Sequence, residues 1–101
     1  MEMGFMEKIV PLLSICSNSP GDAIHIHADA QGLAMLQLAI SNLQKKLITN
    51  QCEHEHFRSS EWAGFELTTT MLGSELKADY KQAHHLKLFA WTDEWREKHN
   101  L

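Results

Sequence analysis

The sequence is poor in cysteine and has no long apolar run. Cys16 and Cys52 are the only cysteines among the 101 residues, and their separation excludes a disulfide framework and a Cys-x-x-Cys zinc motif. No stretch approaches the roughly 18 apolar residues that a membrane-spanning helix needs. A catalytic serine elbow and a glycine-rich phosphate loop are missing as well. These absences turn attention to the histidines, the tryptophans and the carboxylates.

Clusters of basic residues are also missing. Thirteen acidic and nine basic residues give a formal net charge of −4, and no group of Lys and Arg is interleaved with aromatic residues. We therefore expect neither a nucleic acid nor a membrane as the partner. A modestly acidic surface suits a basic partner protein, because it steers the encounter.

The apolar stretch KIVPLLSIC near the start differs from a secretory leader. Glu2 and Glu7 stand where a leader carries positive charge, and Pro11 interrupts the apolar run. Ile15 precedes Cys16, where processing for lipidation needs a small residue. The expectation is a cytoplasmic protein with reduced thiols.

Length and composition indicate one domain spanning residues 1–101. Apolar residues make up 44% of the chain and charged residues 22%, which is typical of a soluble globular domain. A chain of this size buries roughly two-thirds of the surface that its unfolded form exposes. We therefore expect it to fold without disulfides.

Alternating apolar and polar residues predict several strands. In AIHIHA, Ile24 and Ile26 are expected to face the core, while His25 and His27 face water. The other predicted strands cover residues 7–16, part of the segment from Cys52 to Trp62, which is a strand plus a loop, FELTT at 65–69 and HHLKLFAW at 84–91. Residues 71–83 are predicted to be a loop with a helical turn.

One long amphipathic helix is predicted after Asp29, which is a plausible N-cap. Gly32 in its first turn hints at close packing. The apolar side chains recur at spacings of three and four and predict a core-facing stripe of Leu33, Leu36, Ile40, Leu43 and Leu47.

The order of these elements predicts an α+β fold. We expect one antiparallel sheet of four to five strands, with the main amphipathic helix packed on one face. A short C-terminal helix is expected to begin after Thr92. The other face of the sheet is expected to stay open, to carry the histidines and to be available to a partner.

The two His-x-His pairs allow a metal site as one alternative. Residues two apart on a strand project from the same face, so His25, His27, His54 and His56 can complete a zinc site if their strands are neighbours. The simpler interpretation is that both pairs mark the polar faces of two strands. Under that interpretation the protein has no metal and no cofactor.

Several short motifs resemble the immunity protein 32 family of bacterial polymorphic toxin systems. They are IHIHADAQGLAMLQLAISNLQ, a His-x-His stretch and WAGFELTT, and the resemblance covers about residues 20–91. The corresponding positions are Asp29, Gly32, Leu33, His54, His56, Trp62, Gly64, Glu66, Leu67 and Thr68.

The resemblance implies a non-enzymatic protein that binds and neutralises a cognate toxin, which in this family is often a nuclease. Occlusion is the expected mechanism, with Trp62 or Phe57 as the buried anchor and charge complementary to a basic site supplied by Glu53, Glu55 and Glu61. The protein is expected to be a monomer or weak homodimer. The alternatives are a zinc-binding module, a small metal-dependent enzyme that uses the histidines, and a structural homodimer.

Overall fold

The structure, a computed structural model, describes residues 10–101 of the chain. Its class is α+β and every strand pair in this range is antiparallel, which confirms the coarser prediction. The elements in chain order are β1 (Leu13–Ser17), β2 (Ile24–Ala28), α1 (Ala30–Lys46), β3 (Cys52–Arg58), a 3₁₀ turn (Ser60–Trp62), α2 (Gly73–Lys77), β4 (Lys81–Gln82), β5 (His85–Trp91) and α3 (Asp93–Lys98). The first predicted strand falls partly on residues 7–9, outside the described range.

The prediction of one sheet of four to five strands is wrong, because the described strands form two sheets. One has the order β2-β1-β4 and the other pairs β3 with β5. The chain passes from the first sheet to the second between β4 and β5. The Ala83 N–H still donates to the Ile15 carbonyl beside β1, at 2.7 Å, whereas the His84 carbonyl already accepts from the Ser59 N–H at the end of β3, at 3.0 Å. The carbonyl of Leu13 accepts from Thr68 at 2.8 Å. Thr68 thus takes the place that a continuation of β4 would need beside β1.

The predicted strand at 65–69 is therefore an irregular connection. The N–H groups of Glu66 and Leu67 both donate to the Arg58 carbonyl, each at 3.1 Å, before Thr68 turns to β1. Two donors on one acceptor do not make a ladder. The connection still contributes to packing, because the side chain of Leu67 is buried.

Helix α1 begins as predicted, since the Asp29 carboxylate accepts from the Gly32 N–H at 2.8 Å. Its inward face, however, keeps only part of the predicted stripe. Leu43 is buried and Leu36 and Leu47 are half-buried, but Leu33 and Ile40 are 58% and 48% exposed. The buried residues of the helix are Gly32, Ala39 and Leu43, with Met35 and Leu36 partly buried against the core.

Gly32 explains this rotation of the helix. A Cβ atom placed there would lie 1.9 Å from the carbonyl oxygen of Leu12, so only glycine lets the backbones approach this closely. The sequence-based hint of close packing at Gly32 is thereby confirmed. Because Gly32 lies on the inward face, the residues that follow it at spacings of three and four also face the core. They are Leu36, Ala39 and Leu43.

The core lies between α1 and the two sheets. Its buried members are Leu13, Ile15, Ala39, Phe57 and Leu67. All four residues from Leu13 to Cys16 are buried, so β1 is covered on both faces. Edge strand β2 is not: Ile24 and Ile26, predicted to be core, are 66% and 51% exposed.

The remaining helices match the sequence-based expectations. Residues 71–83 contain the short helix α2, in agreement with the predicted helical turn. Thr92 caps α3, because its hydroxyl accepts from the Trp95 N–H at 3.2 Å. Within residues 10–101, none of the helices combines the length and the apolarity that crossing a membrane requires.

Candidate functional site

The two His-x-His pairs lie in different sheets and have different neighbours. His25 and His27 are on β2 and contact Glu75. His54 and His56 are on β3, where His56 contacts His85. The structure thus divides the four histidines of the sequence-based metal site between two clusters.

The first group, which we name the Glu75 cluster, consists of Cys16, His25, His27, Glu75 and Tyr80. Nδ1 of His25 and Nε2 of His27 lie 2.6 and 2.8 Å from the same carboxylate oxygen, Oε2 of Glu75. The Tyr80 hydroxyl is 3.3 Å from the other ring nitrogen of His25. One buried carboxylate oxygen thus accepts from two imidazoles whose side chains are 43% and 29% exposed.

Strand register and a helix N-terminus assemble this cluster. Cys16 on β1 lies directly opposite His25 on β2, and His27 projects from the same face two residues later. Glu75 arrives from α2, where its Oε1 accepts from the Leu72 backbone N–H at 2.7 Å. This backbone contact is the reciprocal half of a capping box, and it fixes the carboxylate in place.

The surroundings shift the pKa values of the two acids in the cluster. Burial alone would raise the pKa of Glu75, but hydrogen bonds from His25, the Leu72 N–H and His27 outweigh it and lower that pKa to about 2. The pKa of the Cys16 thiol is raised by burial and, to a smaller extent, by the Glu75 charge. At neutral pH the cluster therefore holds a carboxylate beside a protonated thiol.

The second group is a continuous line of rings on the face of the β3–β5 sheet that points away from α1, which we name the aromatic row. It consists of Trp62, His85, His56, His54 and Phe89. Trp62 stacks on His85 at 5.1 Å between ring centroids. His85 and His56 lie edge to edge, with Nε2 of His85 2.8 Å from Nδ1 of His56 and the two rings nearly parallel. His54 continues the row, 4.8 Å from His56 and 5.9 Å from Phe89.

Cationic side chains flank the aromatic row. Arg58 is paired with His85 across the strands, and His56 is paired with Lys87, so all four share one face. Lys87 also sits over the Phe89 ring, 4.7 Å from its centroid. Partial burial and then the charges of Arg58 and the neighbouring histidines and lysine lower the pKa of His56.

The residues predicted to bind a partner do not form one surface. Glu53, Glu55 and Phe57 alternate with the row histidines along β3, so they face α1. Phe57 is a core residue with 5% exposure, and Glu55 pairs with Lys46 of α1 at 3.2 Å. Glu61 and Trp62 lie in the exposed 3₁₀ turn.

Sequence reasoning missed Glu75, Tyr80 and His85 as site residues. Glu75 and Tyr80 are about fifty residues from the histidines that they contact, and no local pattern reveals such a pairing. His85 carried a usable signal, since adjacent residues of a strand, such as His84 and His85, face opposite ways. In the structure, His84 contacts Ser59 at 2.8 Å, while His85 joins the aromatic row.

Comparison of the chain with protein-family models, with curated proteins and with solved structures finds no match. The resemblance to the immunity protein 32 family therefore stays a prediction, and function must be argued from the two clusters themselves.

Proposed function

We propose that the protein is a non-enzymatic binding protein that neutralises a partner protein by covering its functional surface, and that the aromatic row is the contact face. One observation carries the proposal. Trp62 is 54% exposed although its ring stacks on that of His85 at 5.1 Å between centroids. Half-exposed tryptophan held in a fixed orientation by its neighbours is typical of a binding anchor.

The rest of the face supports this role. Phe89, at the other end of the row, is 52% exposed. Aromatic residues and arginine are enriched at the centres of protein interfaces, and Arg58 lies among these rings. The histidine rings between the two ends contact one another, so they can be desolvated at low conformational cost.

The charge of this face favours one kind of partner surface. Arg58 and Lys87 are cations, while Glu53 and Glu55 project toward α1 on the other side of the sheet. The partner surface is thus acidic around an apolar pocket for Trp62, rather than basic as the sequence analysis expected. Glu61, beside Trp62 in the 3₁₀ turn, is the one predicted carboxylate that stays near the anchor.

The resemblance to immunity proteins suggests that the partner is a bacterial toxin. The motif residues that carry this resemblance include His54, His56 and Trp62, all of which belong to the aromatic row. The overlap links the resemblance to one surface. We therefore propose toxin neutralisation through this face, without catalysis by this chain.

Co-expression with the product of the adjacent upstream gene tests the proposal. If that product is toxic, the wild-type protein should restore growth and should purify with it as a 1:1 complex. Trp62→Ala should weaken the complex by about 2 kcal/mol or more, the scale of an interface hot spot.

Trp95→Ala is the matched control, because Trp95 packs on His99 near the C-terminus and is not part of the row. It should rescue growth as the wild type does. Equal rescue by both variants would contradict the assignment of the contact face. Absence of toxicity and of a complex would contradict the immunity role.

A further inference from the structure

The Glu75 cluster brings together four groups that can bind a metal ion: one thiol, two imidazoles and one carboxylate. The sulfur of Cys16, a ring nitrogen of His25 and a carboxylate oxygen of Glu75 lie within 4.8 Å of one another. Among residues 10–101 this is the only group of three such side chains so close together. His27 supplies a fourth donor, since its Nε2 approaches the same Glu75 oxygen at 2.8 Å.

We propose that Cys16, His25, His27 and Glu75 bind one zinc ion as a tetrahedral structural site. This departs from the sequence-based expectation that the chain takes no cofactor. It also differs from the four-histidine site of the sequence analysis, because it keeps only the β2 pair.

The spacing of the donors fits zinc after small movements. Zinc ligands lie about 2.0 to 2.3 Å from the ion, so that tetrahedral donors are roughly 3.3 to 3.8 Å apart. The donor atoms of Cys16, His25 and Glu75 lie within 4.8 Å of one another, and they need to close by on the order of 1 Å. His27 is not within that limit of all three, although its Nε2 is 2.8 Å from the Glu75 oxygen, so its ring has the longest way to move. The nitrogens of His25 and His27, now 2.6 and 2.8 Å from Oε2 of Glu75, would each move away from that oxygen by roughly 0.5 to 1.2 Å to admit the ion.

The surroundings of the donors are those of a supported metal site. The second carboxylate oxygen of Glu75 is held by the Leu72 N–H at 2.7 Å. The second ring nitrogen of His25 faces the Tyr80 hydroxyl at 3.3 Å. Metal-bound histidines characteristically use their other ring nitrogen in this way, which orients the ring and fixes its tautomer.

Charge and burial also agree with zinc. Cys16 and Glu75 are 1% and 3% exposed, and a thiolate and a carboxylate together balance the two charges of Zn²⁺. Binding releases the thiol proton, so the complex is neutral. The side chains of His25 and His27 are 43% and 29% exposed, so they form the solvent side of the site. Four protein donors leave no open position for substrate, which indicates a structural rather than a catalytic role.

An ion here would stabilise the position of the short helix α2 against β1 and β2. Helix α2 has five residues, which is too short to be stable alone. The ion would join α2 to β1 and β2 through one bond to Glu75 and three bonds to strand residues. Zinc should therefore raise the melting temperature of the folded protein by mass action.

Cobalt substitution in untagged full-length protein tests the site. Co²⁺ bound by a thiolate gives a sulfur-to-metal charge-transfer band, and the chain has only two cysteines. In Cys52→Ser the only remaining thiol is Cys16, so one equivalent of Co²⁺ should still produce the band. A missing band in this variant would overturn the proposal, whatever happens to other variants.

Loss of the donors gives the complementary result. Cys16→Ser should abolish the band and weaken zinc binding by about tenfold or more, and His25→Gln should weaken binding similarly. His54→Gln, in the other pair, is the matched control and should bind zinc as the wild type does. Equal weakening by His25→Gln and His54→Gln would overturn the assignment, as would a band that persists in Cys16→Ser.

Discussion

The two His-x-His pairs are alike in sequence and opposite in environment. On β2, His25 and His27 share one carboxylate oxygen of Glu75, beside a buried thiol. On β3, His54 and His56 lie among other imidazoles, with Arg58 and Lys87 as the nearest charges. One pair has an anion to bind, and the other is surrounded by cations.

The difference shows that the segment covering a strand decides what its polar face does. Helix α2 and the turn before it place Glu75 over β2 and β1. The row's face of β3 and β5 receives the 3₁₀ turn with Trp62 and, at Trp91, the His99 ring from the end of α3; neither brings a carboxylate to the histidines. The same motif therefore yields a candidate cation site in one sheet and a candidate docking face in the other.

The largest expected effect on stability is that of replacing Phe57, the core residue next to the histidines of β3. Phe57 alternates with His56 along β3 and is buried under α1. Phe57→Ala should lower the free energy of unfolding by about 3–5 kcal/mol, because it leaves a core cavity. Chemical denaturation measures this loss. A loss below about 1 kcal/mol would contradict its place in the core and would favour the role that the sequence suggested, an anchor at the partner interface.

The next effect concerns the helix that packs against both sheets. Gly32→Ala should cost about 1–3 kcal/mol or more, because the added methyl group meets the Leu12 carbonyl. Gly73→Ala is the matched control, since a Cβ atom there meets nothing within 4 Å. Thermal melting of both variants tests the close approach, and equal melting temperatures would contradict it.

The two pairs should also differ in the pH range where they influence stability. The folded pKa of Glu75 lies near 2, against an ordinary value of 4.5, so its contribution is complete above pH 4.5 and is lost as the pH falls toward 2. The folded pKa of His56 lies below its ordinary 6.5. Stability should therefore decrease as the pH falls below 6.5, because the unfolded chain takes up that proton first.

Denaturation midpoints across pH, measured with a chelator present, separate these ranges. His56→Gln should flatten the curve just below pH 6.5, and Glu75→Gln should flatten it between pH 4.5 and 2. If each variant altered the range assigned to the other, the contrast between the two pairs would be wrong.

The smallest expected effect on stability is that of Trp62→Ala. Its ring is half exposed and its stacking on His85 is the contact that fixes it, so the free energy of unfolding should fall by about 1 kcal/mol or less. Loss of partner binding without comparable loss of stability would distinguish Trp62 from Phe57. A destabilisation as large as that of Phe57→Ala would make Trp62 a structural residue.

The fold was predictable where the signal is local. The Asp29 cap, the two His-x-His strands and the opposite orientation of His84 and His85 follow from spacing alone, and the structure agrees with each. The inward face of α1 was not predictable. The spacing of apolar residues places Leu33 and Ile40 on that face, and Gly32 has no side chain that would add to such a pattern. Backbone approach at Gly32 is a tertiary feature.

The division into two sheets and the Glu75 cluster were also beyond local patterns. The sheets separate because Thr68 takes a hydrogen-bonding position beside Leu13, and the sequence of 65–69 reads as an ordinary strand. Glu75 reaches His25 across fifty residues. Such pairings depend on chain topology, which a single sequence does not encode in its periodicity.

The most direct test of the contrast between the two pairs is a zinc titration followed by NMR of the imidazole groups. The signals of His25 and His27 should shift until one equivalent of zinc is bound, while those of His54, His56 and His85 stay in place. Shifts of the β3 histidines before those of the β2 pair would contradict the account.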